Sequence, residues 1–259
     1  MDGFEGHVTR FFAVHLPNVK GASPNTAASY RDAVAQFVSF ASERAGKPIE
    51  SLGTGDLGGE ALEAFLDDLE RSRGAGVSTR NQRLAAVRSL YRYMQARDPL
   101  WMEACSSVLA VEKKRCPPPL VGYVGVEGMR AILAAPDPST RAGLAHLAAL
   151  SLLYESAARS QELIDVRVRD LSAGLSAVVL RGKGGKTRVV PIGREVSTIV
   201  GRHIAETGIS GDSPLIPGRA GKLSRSGIRY IVEKYSAAAR AGGADVPDKV
   251  TPHMFRHSR

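Results

Sequence analysis

Pro117-Pro118-Pro119 lies near the middle of a 259-residue chain. Proline has no backbone N–H, and its ring pushes the residue before it out of the helical region. Such a run therefore cannot sit inside a helix or a central strand. It favours an extended, semi-rigid strap. The preceding Lys113-Lys114-Arg115 would suit a segment lying along a phosphate backbone. The chain is expected to divide here, with a first domain over 1–110, a linker over 111–122 and a second domain over 123–259. The length fits one large or two ordinary domains.

Before the strap the pattern is helical. Ser23-Pro24 supplies a capping hydroxyl and then proline at the first helical position. Tyr30, Val34, Phe37, Val38 and Ala41 follow at helical spacing. Leu62, Phe65, Leu66 and Leu69 mark a second amphipathic helix, which Gly74-Ala75-Gly76 breaks. Ser78 is expected to cap a third, with Leu84, Val87, Leu90, Tyr91 and Met94 on its apolar face. Its other face carries Arg80, Arg83, Arg88 and Arg92. Such a face is either merely solvated or aimed at phosphates, and Arg80 and Arg83 are candidates for the latter.

After the strap, Val126 to Ala134 and Arg141 to Ser156 read as helices, the second strongly apolar. The period then shortens. Ser176 to Leu180 and Thr187 to Ile192 read as strands of a β-hairpin turned by Gly182-Lys183-Gly184-Gly185. Helices around Glu195 to Ile204 and Ser226 to Ala241 follow, and Gly242-Gly243 ends the last. The expected fold class is mainly α with a small antiparallel β-sheet.

The formal charge is +9, from 35 Lys and Arg against 26 Asp and Glu. A chain this basic either meets a polyanion, nucleic acid foremost, or simply has a basic surface. Cys105 and Cys116 make neither a zinc signature nor a disulfide framework, so a reducing, cytoplasmic setting is expected. No apolar run approaches the roughly 20 residues of a membrane span, and the first residues lack signal-peptide character.

Chemistry is concentrated in three patches of the second domain. In Ala157-Ala158-Arg159-Ser160-Gln161-Glu162-Leu163, Arg159 sits where one helix ends and another begins, with Glu162 one turn on. Its bland reading is a helix-end ion pair. In Arg181-Gly182-Lys183-Gly184-Gly185-Lys186-Thr187-Arg188, four cations crowd a hairpin tip with no acid among them, which favours a bound anion; the bland reading is a flexible basic turn. Gly185-Lys186-Thr187 resembles the end of a Walker loop, but Leu180 stands where that loop needs glycine and a strand follows where it needs a helix. In Thr251-Pro252-His253-Met254-Phe255-Arg256-His257, proline opens a helix whose amino end could face an anion. His253 and His257 could instead form a metal pair, although no third ligand is evident.

Taken in this order, Ala-Arg-Ser-Gln-Glu-Leu, then Lys in a Gly-Lys-Gly hairpin, then Pro-His-x-x-Arg-His, the chain resembles the tyrosine recombinases, the phage integrase family that includes the Xer recombinases. Ser23-Pro24-Asn25-Thr26 leading to Tyr30, and Ser78-Thr79-Arg80-Asn81 leading to Leu90-Tyr91, are similar to that family's helical, SAM-like core-binding domain. Leu215-Ile216-Pro217 to Leu223-Ser224-Arg225-Ser226 is similar to its DNA breaking-rejoining domain. Ala157-Ala158 replaces the family's usual Gly-Leu.

Breaking a DNA phosphodiester without hydrolysis needs a protein nucleophile, charge stabilisation on the phosphate and a proton for the leaving 5′ oxygen. Arg159 and Arg256 suit a clamp on the non-bridging oxygens. The resemblance implies Lys183 as general acid, its pKa lowered by Lys186 and Arg188, and His253 as donor to the phosphate or as an aid to proton transfer. It implies double-stranded DNA as partner, two domains clamping it like a C, a homotetramer or a tetramer with a related recombinase at synapsis, and integration of a mobile element among the possible roles. Nucleoid association follows, with Lys113, Lys114, Arg115, Lys186 and Arg188 as further DNA contacts. No metal and no nucleotide cofactor are called for. In the family, a His or Trp and the nucleophilic Tyr lie downstream of the His-x-x-Arg box, whereas all seven tyrosines here precede His253. Tyr230 and Tyr235 read as packing residues. The 259-residue form is therefore expected to bind DNA without forming the covalent link, as a truncated form, a partial gene or a decoy. The rival is a non-catalytic DNA-binding regulator on the same fold.

Overall fold

The computed structural model describes residues 3–117, 122–218 and 221–259. Pro118 and Pro119 of the strap, and the side chain of Lys183, lie outside the described residues. The chain forms two compact units, Met1–Pro118 and Pro119–Arg259.

The first unit is all helical. α1 (Phe4–Arg10) runs directly into a wide π-type stretch over Phe11–Val19. α2 (Pro24–Ala45) begins as the sequence dictates, with the Ser23 hydroxyl accepting from Thr26 N–H and Pro24 at the first helical position. α3 (Gly59–Arg71), α4 (Val77–Gln95) and α5 (Met102–Ala110) complete it. The core gathers Phe11, Phe37, Phe65, Leu62, Leu66, Leu84, Leu90, Tyr91 and Met94. Buried Tyr91 donates its hydroxyl proton to the Leu57 carbonyl at 2.7 Å, so no polar atom of that ring is left unpaired. His7 on α1 meets Asp98 at 2.8 Å inside the unit, tying the first helix to the turn after α4. Ser78 does not cap α4: the helix starts at Val77, and extended Gly76 takes the cap position without a side-chain bond.

The second unit holds α6 (Val126–Ala134), α7 (Arg141–Glu155) and the short α8 (Ser160–Ile164). β1 (Ala177–Arg181) and β2 (Thr187–Pro191) then pair antiparallel, with Val179 opposite Val189 and Leu180 opposite Arg188. α9 (Arg194–Thr207), the tiny pair β3 (Pro217–Gly218) and β4 (Gly221–Lys222), α10 (Arg225–Ala241) and α11 (Pro252–His257) follow. α7 is the central helix. Ala148, Ala149, Leu150, Leu152 and Leu153 are all buried, so it is apolar nearly all round, as a helix surrounded by partners must be. Val178 and Leu180 of β1 face this core, while β2 is an outer strand with Val189 exposed.

Tyr235 packs in the core of α10, its hydroxyl 3.0 Å from His146 Nδ1. Tyr230 departs from expectation: it is 61% exposed, because five residues back along the helix from Tyr235 places it on the outer face.

Candidate active site

Arg159 occupies the position just before α8 in extended conformation. The helix it opens places Glu162 back beneath it. Glu162 accepts the Arg159 backbone N–H at Oε2 (2.9 Å) and the Arg159 Nη1 at Oε1 (2.8 Å). The same carboxylate takes a fork from Arg188 on β2, with Nη1 to Oε1 at 3.0 Å and Nη2 to Oε2 at 2.7 Å. The Glu162 side chain is only 2% exposed. Burial pushes its pKa up, but the hydrogen bonds from Arg188 and Arg159 outweigh this and hold it at about 2.

A second buried acid grips the other strand. Arg181, at the end of β1, meets Asp170 at 2.7 Å, and Asp170 also accepts the Arg167 backbone N–H at 2.9 Å. The expected picture of four unbalanced cations at the hairpin is thereby corrected. Arg181 meets Asp170, and Arg188 shares Glu162 with Arg159, so two acids from elsewhere in the chain offset part of the hairpin's charge. Lys186 is exposed, with no ion pair among the described residues.

The hairpin settles closely on this carboxylate at Gly182, where any Cβ would be crowded. A Cβ at Gly182 would meet Glu162 Oε1 at 3.0 Å and the Lys186 carbonyl at 3.4 Å. Gly184 and Gly185 then carry φ of 75° and 74°, the left-handed region that glycine enters without a Cβ clash. Lys183 stands between Gly182 and Gly184 in this turn.

Arg256 joins the same corner by another route. Its Nη1 donates to the Ala157 carbonyl at 3.1 Å, two residues before Arg159. Ala157 has φ of 46°, a left-handed conformation rare for a residue with a Cβ. α11, which carries Arg256, is fixed by buried Phe255 and by Ser258, whose Oγ accepts the Val124 N–H at 2.8 Å. His253 is exposed, and its Nε2 lies 2.9 Å from Nε2 of His257. The structure thus links Arg159, Arg188 and the Lys183 hairpin through Glu162, and Arg256 through Ala157. His253 stands on α11 one turn from Arg256.

The basic face of α4 is arranged differently from the open face expected. Arg80 is 5% exposed, ion-paired to Glu70 at 3.3 Å and donating to the Glu112 carbonyl at 3.4 Å. Arg83 pairs with Asp32 at 2.7 Å, and Arg88 donates to the Val111 carbonyl at 3.3 Å. Asn81 brackets Lys114, donating to its carbonyl at 2.8 Å and accepting its N–H at 3.1 Å. Lys114 Nζ also reaches Glu70. Arg80 and Arg88 thus bond the start of the strap, while Arg83 is taken up by α2. Lys113, Arg115 and Arg92 are exposed and make no ion pair among the described residues.

A family model described as the phage integrase family matches residues 125–259, and one described as the phage integrase N-terminal SAM-like domain matches residues 8–98. A Sinorhizobium fredii protein named integrase/recombinase y4rD is 33% identical over 253 residues, covering 95% of this chain and 90% of that protein. Tyrosine recombinase XerC of Rhodospirillum centenum is 33% identical over 249 residues, covering 94% of this chain and 70% of its own length. Two solved structures share the fold. XerH site-specific recombinase bound to palindromic difH substrate in a post-cleavage complex has a TM-score of 0.70 at 18% identity, covering 92% of this chain and 68% of that one. The lambda integrase(75-356) dimer bound to a COC′ core site has a TM-score of 0.70 at 14% identity, covering 98% and 87%.

The chain belongs to the phage integrase family, the tyrosine recombinases. Its N-terminal SAM-like domain and its mostly helical catalytic domain with a small antiparallel sheet are those of that family.

Proposed function

We propose that the chain binds duplex DNA and holds one backbone phosphate between Arg159, Arg256 and His253. By likeness to the family, the reaction this corner would serve is site-specific recombination through a 3′-phosphotyrosine, with Lys183 placed to protonate the leaving 5′ oxygen once a nucleophile is supplied. What supports the reading is the buried carboxylate of Glu162, which fixes Arg159 and the Lys183 hairpin to one another. Guanidinium groups fixed before substrate arrives need no rearrangement as charge builds on the phosphate. Lys113, Arg115, Lys186 and Arg92 supply further backbone contacts, and the arginines buried against the strap act as braces. XerH is described as bound to its difH substrate, and lambda integrase as a tetramer on a Holliday junction. A homotetramer at synapsis and a place with the nucleoid in the cytoplasm belong to the same proposal. Among the described residues no helix is long and apolar enough to cross a membrane.

None of this chain's own tyrosines is the nucleophile in our reading. Among the described residues, the Tyr91 hydroxyl bonds Leu57 and the Tyr235 hydroxyl lies against His146, and no tyrosine hydroxyl bonds Arg159, His253 or Arg256. The 259-residue polypeptide then binds DNA without becoming joined to it. A nicked suicide substrate tests this directly. We expect a shifted, SDS-sensitive complex, and an SDS-resistant protein–DNA adduct from this polypeptide would overturn the assignment. No binding to any duplex at low salt would overturn the DNA-binding reading itself, including its non-catalytic form.

A further inference from the structure

We propose that His253 and His257 form a two-imidazole site for a divalent transition-metal ion that prefers right-angle coordination, Cu2+ or Ni2+. An ion held there withdraws His253 from phosphate. The two Nε2 atoms converge to 2.9 Å, with ring centroids 4.4 Å apart and the rings nearly perpendicular at 82°. Both side chains are exposed, so a hydrated ion can reach them.

The separation selects the geometry. With imidazole–metal bonds of about 2.0–2.1 Å, two nitrogens at a right angle stand about 2.9 Å apart, and at a tetrahedral angle about 3.3–3.4 Å. The pair as folded matches adjacent positions of a square-planar or octahedral ion, the preference of Cu2+ and Ni2+, whereas Zn2+ requires the rings to part. Without an ion the contact needs one ring protonated at Nε2 and the other offering its lone pair. Moving that proton to Nδ1 frees a lone pair on each Nε2, and an ion about 2.0–2.1 Å from both then sits beside the line joining them. The backbone needs no movement, because Phe255 and Ser258 already anchor the helix between and beyond the rings. No third His, Cys, Asp or Glu converges with them among the described residues, so water completes the coordination sphere.

Chelation itself does not depend on the reading of His253 as a phosphate ligand, whereas the withdrawal from phosphate rests on it. The experiment uses the tag-free chain, titrated calorimetrically with NiCl2, CuCl2 and ZnCl2, with electron paramagnetic resonance on the copper form. We expect one ion per chain, two coupled nitrogens, and Ni2+ bound more tightly than Zn2+. His257→Gln and His253→Gln should each weaken Cu2+ and Ni2+ binding by at least about tenfold. Unchanged affinity in both variants overturns the site. Saturating Ni2+ should also lower the affinity of the parent chain for duplex DNA but not that of His257→Gln. Full Ni2+ occupancy with unaltered DNA affinity overturns the withdrawal. Absence of DNA binding before any metal is added would strike the functional reading and leave the chelation result standing.

Discussion

Glu162 and Arg188 face each other as a two-point ion pair, 3.0 and 2.7 Å, across 26 residues of chain. The pair joins the start of α8 to the outer strand of the hairpin, and Arg159 completes it from the same carboxylate. Removing the acid leaves two guanidinium groups facing each other. We expect Glu162→Ala to destabilise the second unit by about 1–3 kcal/mol, because the guanidinium groups it leaves, 56% and 36% exposed, are partly solvated. Glu162→Gln, which keeps the shape and one acceptor, should cost less. Urea unfolding followed by circular dichroism measures both.

The same pair sets an acid limit. The Glu162 carboxyl is lowered from its ordinary pKa of 4.5 to about 2. Its contribution is therefore fully present above pH 4.5 and is lost as pH falls through 2. Each tenfold change in proton affinity is worth about 1.36 kcal/mol, so the loss is on the order of 3 kcal/mol. Asp170, lowered by Arg181, acts in the same direction. Stability of the parent chain should fall between pH 4.5 and 2, and the Glu162→Gln variant should show a shallower fall.

Gly182→Ala tests how tightly the hairpin is seated. The new methyl would stand 3.0 Å from Glu162 Oε1, an atom held by two arginines and unable to move aside. We expect a loss of about 1–3 kcal/mol, typical of overpacking.

Ala157 offers the opposite case. Its φ of 46° costs a residue with a Cβ roughly 1–2 kcal/mol, partly offset by the lower unfolded-state entropy of alanine. Ala157→Gly should be neutral or stabilising by up to about 1 kcal/mol, and Ala157→Val destabilising by about 1–3 kcal/mol. Chemical denaturation midpoints decide it.

The strap predicts a split between binding and stability. Charge reversal at exposed Lys113 and Arg115 should leave unfolding unchanged, weaken DNA binding, and flatten its dependence on log salt by about 0.9 per lost phosphate contact. Arg80→Ala should instead lower stability, since it removes a partner of half-buried Glu70 and a bond to the strap. Gel shifts over a salt series, beside thermal melts, separate the two.

Much of this was legible in the residues. Ser23-Pro24 announces α2 through a cap and a proline that each act locally, and the glycines of the Lys183 turn announce the hairpin in the same way. The partners of the cations were not legible. Glu162 is visible beside Arg159 because they are three residues apart, but its fork to Arg188 depends on where the hairpin folds back. Asp170 carries no local sign that Arg181 will reach it. The arginines of α4 illustrate the same limit: helical period tells which side chains share a face, not that residues 111–114 will lie across it. α1 and the π-type stretch after it escaped notice because Phe4 to Val19 has no side-chain cap and places aromatic residues without a clean helical stripe.

The grip of Glu162 on both arginines also bears on affinity. Long cationic side chains that must be immobilised on a ligand lose about 0.5–1.5 kcal/mol each in freedom. In the proposed role, Arg159 meets part of that loss during folding, so a phosphate bound at this corner would find that donor already held. Lys186 and Lys113, loose in solvent, forfeit their freedom only on contact. The corner around Glu162 is therefore suited to hold a phosphate in one pose, while the loose lysines tolerate many.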